Sequence, residues 1–321
     1  MISIIIPSHN SEKTIQENVR SLLKQNYKGQ YEIIVVDSSK DKTPDIVSQF
    51  PVKLLKQKPR GPAAARNLGM KKSKGDTVVF IDSDCIAPRN WLKNLLKPLS
   101  NNNVIAVAGT YKTKNKESLI ARLVGYEIEQ RHEKMKNLKY IDFVASYNCA
   151  YRKTIFTKLG GFNEKFTQAE DADLSFRVTK KNYKIKFQPS AYVYHYHPDT
   201  LIKYLKQKFW RGYWKVFLYS KHKRKFLGDT YTPKTLLPQI FLLSMFFILL
   251  IFSSFLNEFI YLSMFFLILM YIFNIGLFNF LWKKEKSMIF FSLPMIFLRN
   301  LIASIGIGIG VITLFKKILK I

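Results

Sequence analysis

Residues 75–85 read Gly75-Asp76-Thr77-Val78-Val79-Phe80-Ile81-Asp82-Ser83-Asp84-Cys85, an apolar, β-branched run that leads straight into two acids. A short apolar run bounded by turn residues has the composition of a buried strand, here over residues 77–81. In open α/β sheets the ligand crevice lies beyond the carboxyl ends of the strands, so acids at that point are candidate ligand groups. Two carboxylates with one spacer can converge on a single divalent cation, and hard oxygen donors suit Mg2+ or Mn2+ bridging a diphosphate. Asp82 and Asp84 are thus the first candidate metal residues. The alternative for such a pair is a solvated turn.

The surrounding sequence repeats the same grammar. Residues 2–6 and 32–36 read as buried strands, and the second ends in Asp37. Residues 11–25 and 62–72 have helical patterns, the latter entered through Gly61. Shorter elements follow: a helix at 43–49, strands at 52–55 and 104–108, and helices at 91–99 and 118–136. Beyond them, strands are expected at 142–144 and 148–151, helices at 153–159 and 172–181, and an alternating strand at 192–197. Alternation of strands and helices predicts an α/β domain with a largely parallel sheet. In the last strand, period-two geometry places His195 and His197 on one face.

The C-terminal third is different. Residues 235–257 and 259–282 contain no charged side chain, and each is longer than the ~20 apolar residues that cross a bilayer core. They read as a helical hairpin. A third stretch, 287–315, carries Pro294, Arg299 and Asn300 near its middle, and a spanning helix would bury Arg299 there. A broken, re-entrant or interfacial arrangement is therefore favoured over a simple span, and Arg299 is a candidate for holding the phosphate of an acceptor. Gly306, Gly308 and Gly310 would permit close helix contact. Lys283, Lys284 and Lys286 place the adjoining loop on the cytosolic side. The domains expected are 1–199, a catalytic α/β unit; 200–233, a basic aromatic interfacial helix region; and 234–321, an all-α membrane region.

The net charge of +29 would suit a nucleic-acid binder, but the location of the charge argues against one. Residues 200–226 hold nine Lys or Arg and no acid, interleaved with aromatics that include Trp210, directly before the first apolar stretch. That mixture reads as a helix at a membrane surface, with lysines meeting anionic lipid. No nucleic-acid partner is expected. Only Cys85 and Cys149 are present, which supports neither a disulfide framework nor a zinc site and suits a reducing cytosol. The opening MISIIIPSHN is too short and lacks the basic flank of a signal peptide, so none is expected.

Two further groups carry chemistry. In Glu170-Asp171-Ala172-Asp173-Leu174-Ser175-Phe176-Arg177, Asp171 as a helix cap would bury Leu174 and Val178 and bring Arg177 near the acids. Such a segment is either a capped surface helix or the source of a general base. In Arg60-Gly61-Pro62-Ala63-Ala64-Ala65-Arg66-Asn67, small residues let a helix approach a bound group, and Arg66 offers a guanidinium to a diphosphate.

In order, SIIIPSHN, VVDSS, RGPAAARNLGM, GDTVVFIDSDC, SYNCAY with KLGGF, AEDADLSFRV and VYHYH resemble the family 2 glycosyltransferases from residue 2 to about 197. The resemblance implies a GT-A fold, a UDP- or GDP-linked sugar donor, Mn2+ or Mg2+ and inversion at the anomeric carbon. It implies nucleotide-sugar contacts at Pro7, Glu12, Asp37, Lys58, Arg66, Asp82 and Asn148, and metal contacts at Asp84, Asp82 and His195, with His197 as an alternative to His195. Asp171 matches the family's catalytic base, with Glu170 beside it. Arg177, Trp210, Arg211 and Arg299 are acceptor candidates. Ser38 stands where the family usually has a second acid. Gln207-Lys208-Phe209-Trp210-Arg211 only loosely matches the signature of processive synthases, so processivity is not inferred.

The function expected is transfer of one sugar to a hydroxyl of a lipid-linked glycan at the cytosolic face of a membrane, by a multi-pass protein whose partners include membrane lipids. Synthesis of a polyprenyl-phosphate sugar is the rival, with polysaccharide synthesis behind it. A nucleotidyltransferase would need a glycine-rich lysine loop that the sequence lacks, and a non-catalytic surface-binding protein would bind no nucleotide.

Overall fold

The computed structural model describes residues 1–226 and 228–319, which divide into two compact units. The first comprises Met1–Lys114 and His132–Tyr196; the second comprises Asn115–Arg131 together with the chain from His197 onward. Residues 115–131, expected inside the catalytic domain, thus group with the C-terminal helices.

The first unit opens with β1 (Ile2–Ser8), α1 (Ile15–Leu23), β2 (Tyr31–Asp37), α2 (Thr43–Ser48), β3 (Lys53–Lys56), α3 (Pro62–Lys72) and β4 (Thr77–Ile81). These βαβ crossovers set β3, β2, β1 and β4 side by side and parallel. Both faces of such a sheet are covered, and Ile4, Ile5, Ile6, Val35, Val36, Val79 and Phe80 are accordingly buried. Helix α3 lies directly on β1 and β2: a Cβ on Gly69 would strike the Ile5 side chain.

Next come β5 (Cys85–Ile86), α4 (Trp91–Leu96), β6 (Val104–Thr113), α5 (Leu119–Lys136), β7 (Asn148–Arg152), α6 (Lys153–Lys158), α7 (Glu170–Lys180) and β8 (Lys184–His195). The sheet order is β3-β2-β1-β4-β7-β6-β8-β5, with β7 antiparallel to both β4 and β6, and β5 antiparallel to β8. The sheet is therefore mixed, as the GT-A resemblance implies, with β3, β2, β1 and β4 as a parallel part. Apolar periodicity reports burial, not strand direction, so the reversal at β7 left no sequence signal. The strand expected at 142–144 is absent as well. Ile141 makes an isolated bridge to Ile185, and the Val144 amide donates to Ser175 Oγ of α7 at 2.9 Å instead of joining a ladder.

In the second unit, α8 (Leu201–Lys221) is capped by the Thr200 side chain. It is followed by α9 (Leu236–Phe252), α10 (Glu258–Ile272), α11 (Ile275–Lys284) and α12 (Ser287–Leu319). The two clean spans of the expected hairpin do not form as such. Helix α9 has 17 residues, about 26 Å at 1.5 Å per residue, and α10 and α11 are bent by 51° at their junction. Helix α12 is long and apolar enough to cross a membrane; α10 and α11 would qualify only as one bent span.

The third stretch is one continuous 33-residue helix, not a broken or re-entrant pair. The reason lies in its arginine. Arg299 is buried but not alone: Nη1 donates to Glu127 Oε1 at 2.6 Å, and Nη2 donates to Gln239 Oε1 at 2.8 Å and Asn274 Oδ1 at 3.2 Å. With its charge and donors satisfied inside the protein, the helix has no need to break around it.

Helices α8 and α12 pack through glycines. A Cβ on Gly212 of α8 would meet the Ala303 carbonyl at 2.5 Å, and one on Gly306 of α12 would overlap the Phe209 carbonyl. Gly310, one turn on, faces Tyr213, whereas Gly308 faces open space. Gly306→Leu is therefore expected to push the helices apart and cost about 1–3 kcal/mol, whereas Gly308→Leu should stay within about 0.5 kcal/mol. Thermal unfolding of the detergent-solubilised protein separates the two.

Candidate active site

The site forms where β1, β2 and β4 end together. In register, Pro7 lies opposite Val36 and Ser8 opposite Asp37. The buried Asp37 carboxylate accepts the Ser39 amide at 3.1 Å and the Ser39 hydroxyl at 2.6 Å, closing the turn after β2. The loop after β1 is tied to it: His9 Nδ1 lies 3.0 Å from the Ser38 carbonyl oxygen, the Asn10 amide donates to Ser39 Oγ, and Asn10 Oδ1 accepts the Lys40 amide. Glu12 Oε2 accepts the Lys42 amide at 3.4 Å. These loops line an open cavity of about 720 Å³ that extends to Ser83 and Asp84. Glu12 and Asp84 thus border one cavity. Lys58 is exposed in the loop after β3.

The acidic turn after β4 is anchored from below by Asn18, a fully buried residue of α1 whose Nδ2 donates to the carbonyls of Asp82 (3.0 Å) and Cys85 (2.6 Å). The short β5 then pairs Cys85 with His195 at the end of β8. That pairing sets Asp84 Oδ1 3.5 Å from His195 Nε2. Potential ligand atoms of Asp84, Cys85 and His195 lie within 4.8 Å of one another. Burial, with Asp84 and Asp82 nearby, pushes the Cys85 thiol well up, so it offers no thiolate. A carboxylate oxygen and an imidazole nitrogen remain, and that donor set fits Mn2+ or Mg2+. Strand β8 ends at His195, so the alternation does not reach His197, whose amide donates to Asn115 Oδ1 in the second unit.

Arg66 joins the two acidic motifs. Its Nη2 donates to Asp82 Oδ1 and its Nη1 to Glu170 Oε1, both at 2.7 Å, and its guanidinium lies 5.6 Å from the Phe162 ring centroid. The side chain is only 4 % exposed. Burial alone would lower its pKa, but Asp82 and Glu170 outweigh burial and hold it charged. Arg66 is thus not directed at a diphosphate, as its sequence context suggested. It is a buried bridge between two carboxylates.

Glu170 opens α7, and Asp171 follows in the first turn. The cap is not Asp171 but Ala169, held at φ 69°, a left-handed conformation that a non-glycine residue adopts at a cost. Burial and the neighbouring Asp171 raise Glu170 to about 7 against the pull of Arg66. Asp171 is partly exposed and accepts the Ala172 amide at 2.7 Å. Leu174 and Val178 are buried, as expected. Arg177 pairs with Asp173 at 2.9 Å and donates Nη2 to the Gly161 carbonyl at 2.6 Å, holding the turn before α7. In that turn Gly161 has φ 65°, and the Phe162 backbone is gripped from both sides by Asn67 of α3.

Asn148 does not line a cleft. It is fully buried, accepts Trp91 Nε1 at 2.8 Å and donates to the carbonyls of Thr110 and Ala191, which fixes β7 within the sheet. Its neighbour Tyr147, which the sequence gave no reason to select, accepts the Asp82 amide through its carbonyl at 3.4 Å. The Tyr147 and Tyr111 rings lie 6.0 and 5.0 Å from the His195 ring. Trp210, Arg211 and Arg299 belong to the second unit. There Trp210 stacks edgewise on Phe209 and Tyr213, and Arg299 is enclosed by Glu127, Gln239, Asn274 and Asn300.

A mixed sheet whose first strand-end loops, a strand-end acidic turn and a second acidic helix meet in one region has the architecture of a GT-A transferase. Residues 3–160 match the model of glycosyl transferase family 2. The chain is 30% identical over 186 residues to the UDP-Glc:alpha-D-GlcNAc-diphosphoundecaprenol beta-1,3-glucosyltransferase WfgD of Escherichia coli, covering 57% of this chain and 71% of the relative. It is 31% identical over 258 residues to the probable glycosyltransferase YdaM of Bacillus subtilis, covering 75% of this chain but only 58% of that relative's length. Among solved structures, a mannosyltransferase from Pyrobaculum calidifontis in complex with GDP-Man and Mn2+ superposes with a TM-score of 0.57 at 22% identity, over 70% of this chain and 64% of that one. The chain belongs to glycosyl transferase family 2.

Proposed function

We propose that this chain is a glycosyltransferase that moves a single sugar, with inversion, from a UDP- or GDP-linked donor to a hydroxyl of a lipid-linked glycan at the cytosolic face of a membrane. The observation that carries the reading is the Arg66 bridge, which holds the diphosphate-side acid Asp82 and the base-side acid Glu170 on one guanidinium. In this reading the loops after β1 and β2 take the nucleoside, and Asp171 takes the proton of the attacking hydroxyl. Attack by that hydroxyl from the face opposite the leaving diphosphate is a single displacement, which inverts the anomeric carbon. Asp84 and His195, with Asp82 adjacent, would hold Mn2+ or Mg2+. The ion supplies charge neutralisation for the departing diphosphate. Arg66, with both terminal nitrogens bonded to carboxylates, keeps Glu170 and Asp82 in place instead of touching the leaving group.

The acceptor class is supported by the WfgD relative, whose name specifies a diphosphoundecaprenol-linked sugar, and by α12, the apolar helix of the second unit. The basic, aromatic α8 suits a headgroup region, and Lys283, Lys284 and Lys286 suit its cytosolic side. Multi-pass attachment follows if α10 and α11 cross as one bent span.

Incubating the purified chain with UDP- and GDP-sugars, Mn2+ and a polyprenyl-diphosphate-linked sugar tests the proposal. Metal-dependent transfer with an inverted anomer by NMR is expected. Asp84→Asn should weaken Mn2+ binding, read by the EPR signal of the free ion, at least about tenfold. Retention of configuration, or transfer indifferent to chelation, would refute the reading.

A further inference from the structure

The second unit holds a buried charge cluster that sugar transfer in the first unit does not employ. Glu127 on α5 is almost fully enclosed and receives two cations, Lys208 Nζ at 2.9 Å and Arg299 Nη1 at 2.6 Å. Arg299 is satisfied on its remaining sides, since Nε donates to Asn300 and Nη2 to Gln239 and Asn274. Lys208 is not. Among the described residues it shares its only carboxylate with Arg299, and Arg211, three residues on along α8, makes no ion pair.

On the other side of Lys208, one turn back, lies Tyr204. Its ring centroid is 4.5 Å from Lys208 Nζ; the residue is fully buried, and among the described residues its hydroxyl has no hydrogen-bond partner. A buried hydroxyl without an acceptor costs about 1–3 kcal/mol. A surplus of buried cations over carboxylates is costly for the same reason, loss of solvation without compensation. The strain appears in titration: burial lowers Lys208 to about 7, with Glu127 opposing and Arg211, Arg131 and Arg299 adding to the effect.

One group relieves all of this at once. An anion with several oxygens accepts from the Tyr204 hydroxyl and neutralises Lys208 and Arg211. The same unit indicates what carries it. Ile202 (79 % exposed) and Trp210 on α8, and Ile305, Ile309 and Ile312 on α12, are exposed apolar side chains. Basic pockets among apolar helices are where lipid phosphates bind.

We infer that Tyr204, Lys208 and Arg211 bind the diphosphate of a polyprenyl-type lipid whose chain lies against the exposed apolar residues of α8 and α12. The inference rests on the lipid-linked acceptor reading and names the site that holds the acceptor's headgroup. It reassigns the role that the sequence suggested for Arg299, which instead fixes Glu127 and leaves Lys208 only half neutralised.

Farnesyl diphosphate, farnesol and inorganic pyrophosphate are the probes, titrated into the full chain in detergent with tryptophan fluorescence as the readout, since Trp210 and Trp214 lie on α8. Saturable binding of farnesyl diphosphate is expected, with Arg211→Gln weakening it at least about tenfold and Arg211→Lys restoring part of the loss. Tyr204→Phe should weaken it by about fivefold. Among the described residues Arg211 has no ion-pair partner to orphan, so the glutamine variant should fold normally, and its affinity for UDP or GDP should be unchanged. Arg211→Gln binding farnesyl diphosphate like the wild type, or farnesol binding equally well, overturns the site. Pyrophosphate binding as tightly as farnesyl diphosphate overturns its assignment to a lipid. If farnesyl diphosphate binds as expected but no sugar reaches a lipid-linked acceptor, the acceptor reading fails and the site stands. If transfer proceeds with no dependence on Arg211, the site fails alone.

Discussion

Asp171→Asn is expected to lower kcat by about 10²–10⁴-fold, with nucleotide-sugar affinity nearly unchanged. The amide keeps the shape of the side chain and its acceptance of the Ala172 amide through an oxygen, but it cannot take the proton of an attacking hydroxyl. A phosphate acceptor is already ionised and needs no base, so an enzyme making a polyprenyl-phosphate sugar would keep most of its activity in this variant. The same region sets the pH dependence. Glu170 is raised to about 7 by burial and by Asp171, so it is largely neutral below that pH and ionised above it. Its negative charge beside Asp171 favours proton uptake by the base, and kcat/KM should therefore rise with pH through an inflection near 7. Glu170→Gln should remove that inflection while leaving the base in place. An unchanged profile in Glu170→Gln would assign the inflection to another group.

How much of this was legible in the sequence depended on whether the signal was local. Strand β4 and helix α3 run over 77–81 and 62–72 as their composition predicts, because a continuous β-branched run and a Gly-Pro entry are decided within a few residues. The acids Asp82, Asp84, Glu170 and Asp171 could be named for the same reason. What each one touches could not, because those partners are far apart in the chain: Arg66 lies 104 residues from Glu170, and Glu127 lies 172 from Arg299. A lone arginine near an acidic motif reads equally well as a phosphate ligand or an ion-pair partner, and only the fold decides. Asn148 was misread in the same way, since a motif position does not reveal that both ends of its amide are already bonded. Asn18 was detectable: it falls on the buried stripe of α1 with Ile15, Val19 and Leu22, and a polar residue there must bond to something.

Arg66→Met should have the largest effect on stability. Removing one partner of a buried ion pair leaves the other charge uncompensated, at about 3–5 kcal/mol, and the lower end applies here because Asp82 keeps a 31 % exposed side chain and can turn to water. Glu170, 8 % exposed, cannot, and it will hold its proton instead. The sign of the pH dependence follows. A carboxyl whose folded pKa lies above its ordinary 4.5 contributes stability that is complete below 4.5 and is lost as pH rises through the folded value, which is about 7 in the wild type. Without Arg66 the folded value is higher still, so the loss continues to a higher pH. The gap between variant and wild type should therefore widen above about pH 7 and narrow below it, read by thermal unfolding across that range. Adding Glu170→Gln to Arg66→Met removes the stranded carboxyl and should recover part of the stability and most of the pH dependence. If the double variant is no more stable than Arg66→Met alone, Glu170 is not what Arg66 stabilises, and the bridge between the two acidic motifs is only a contact.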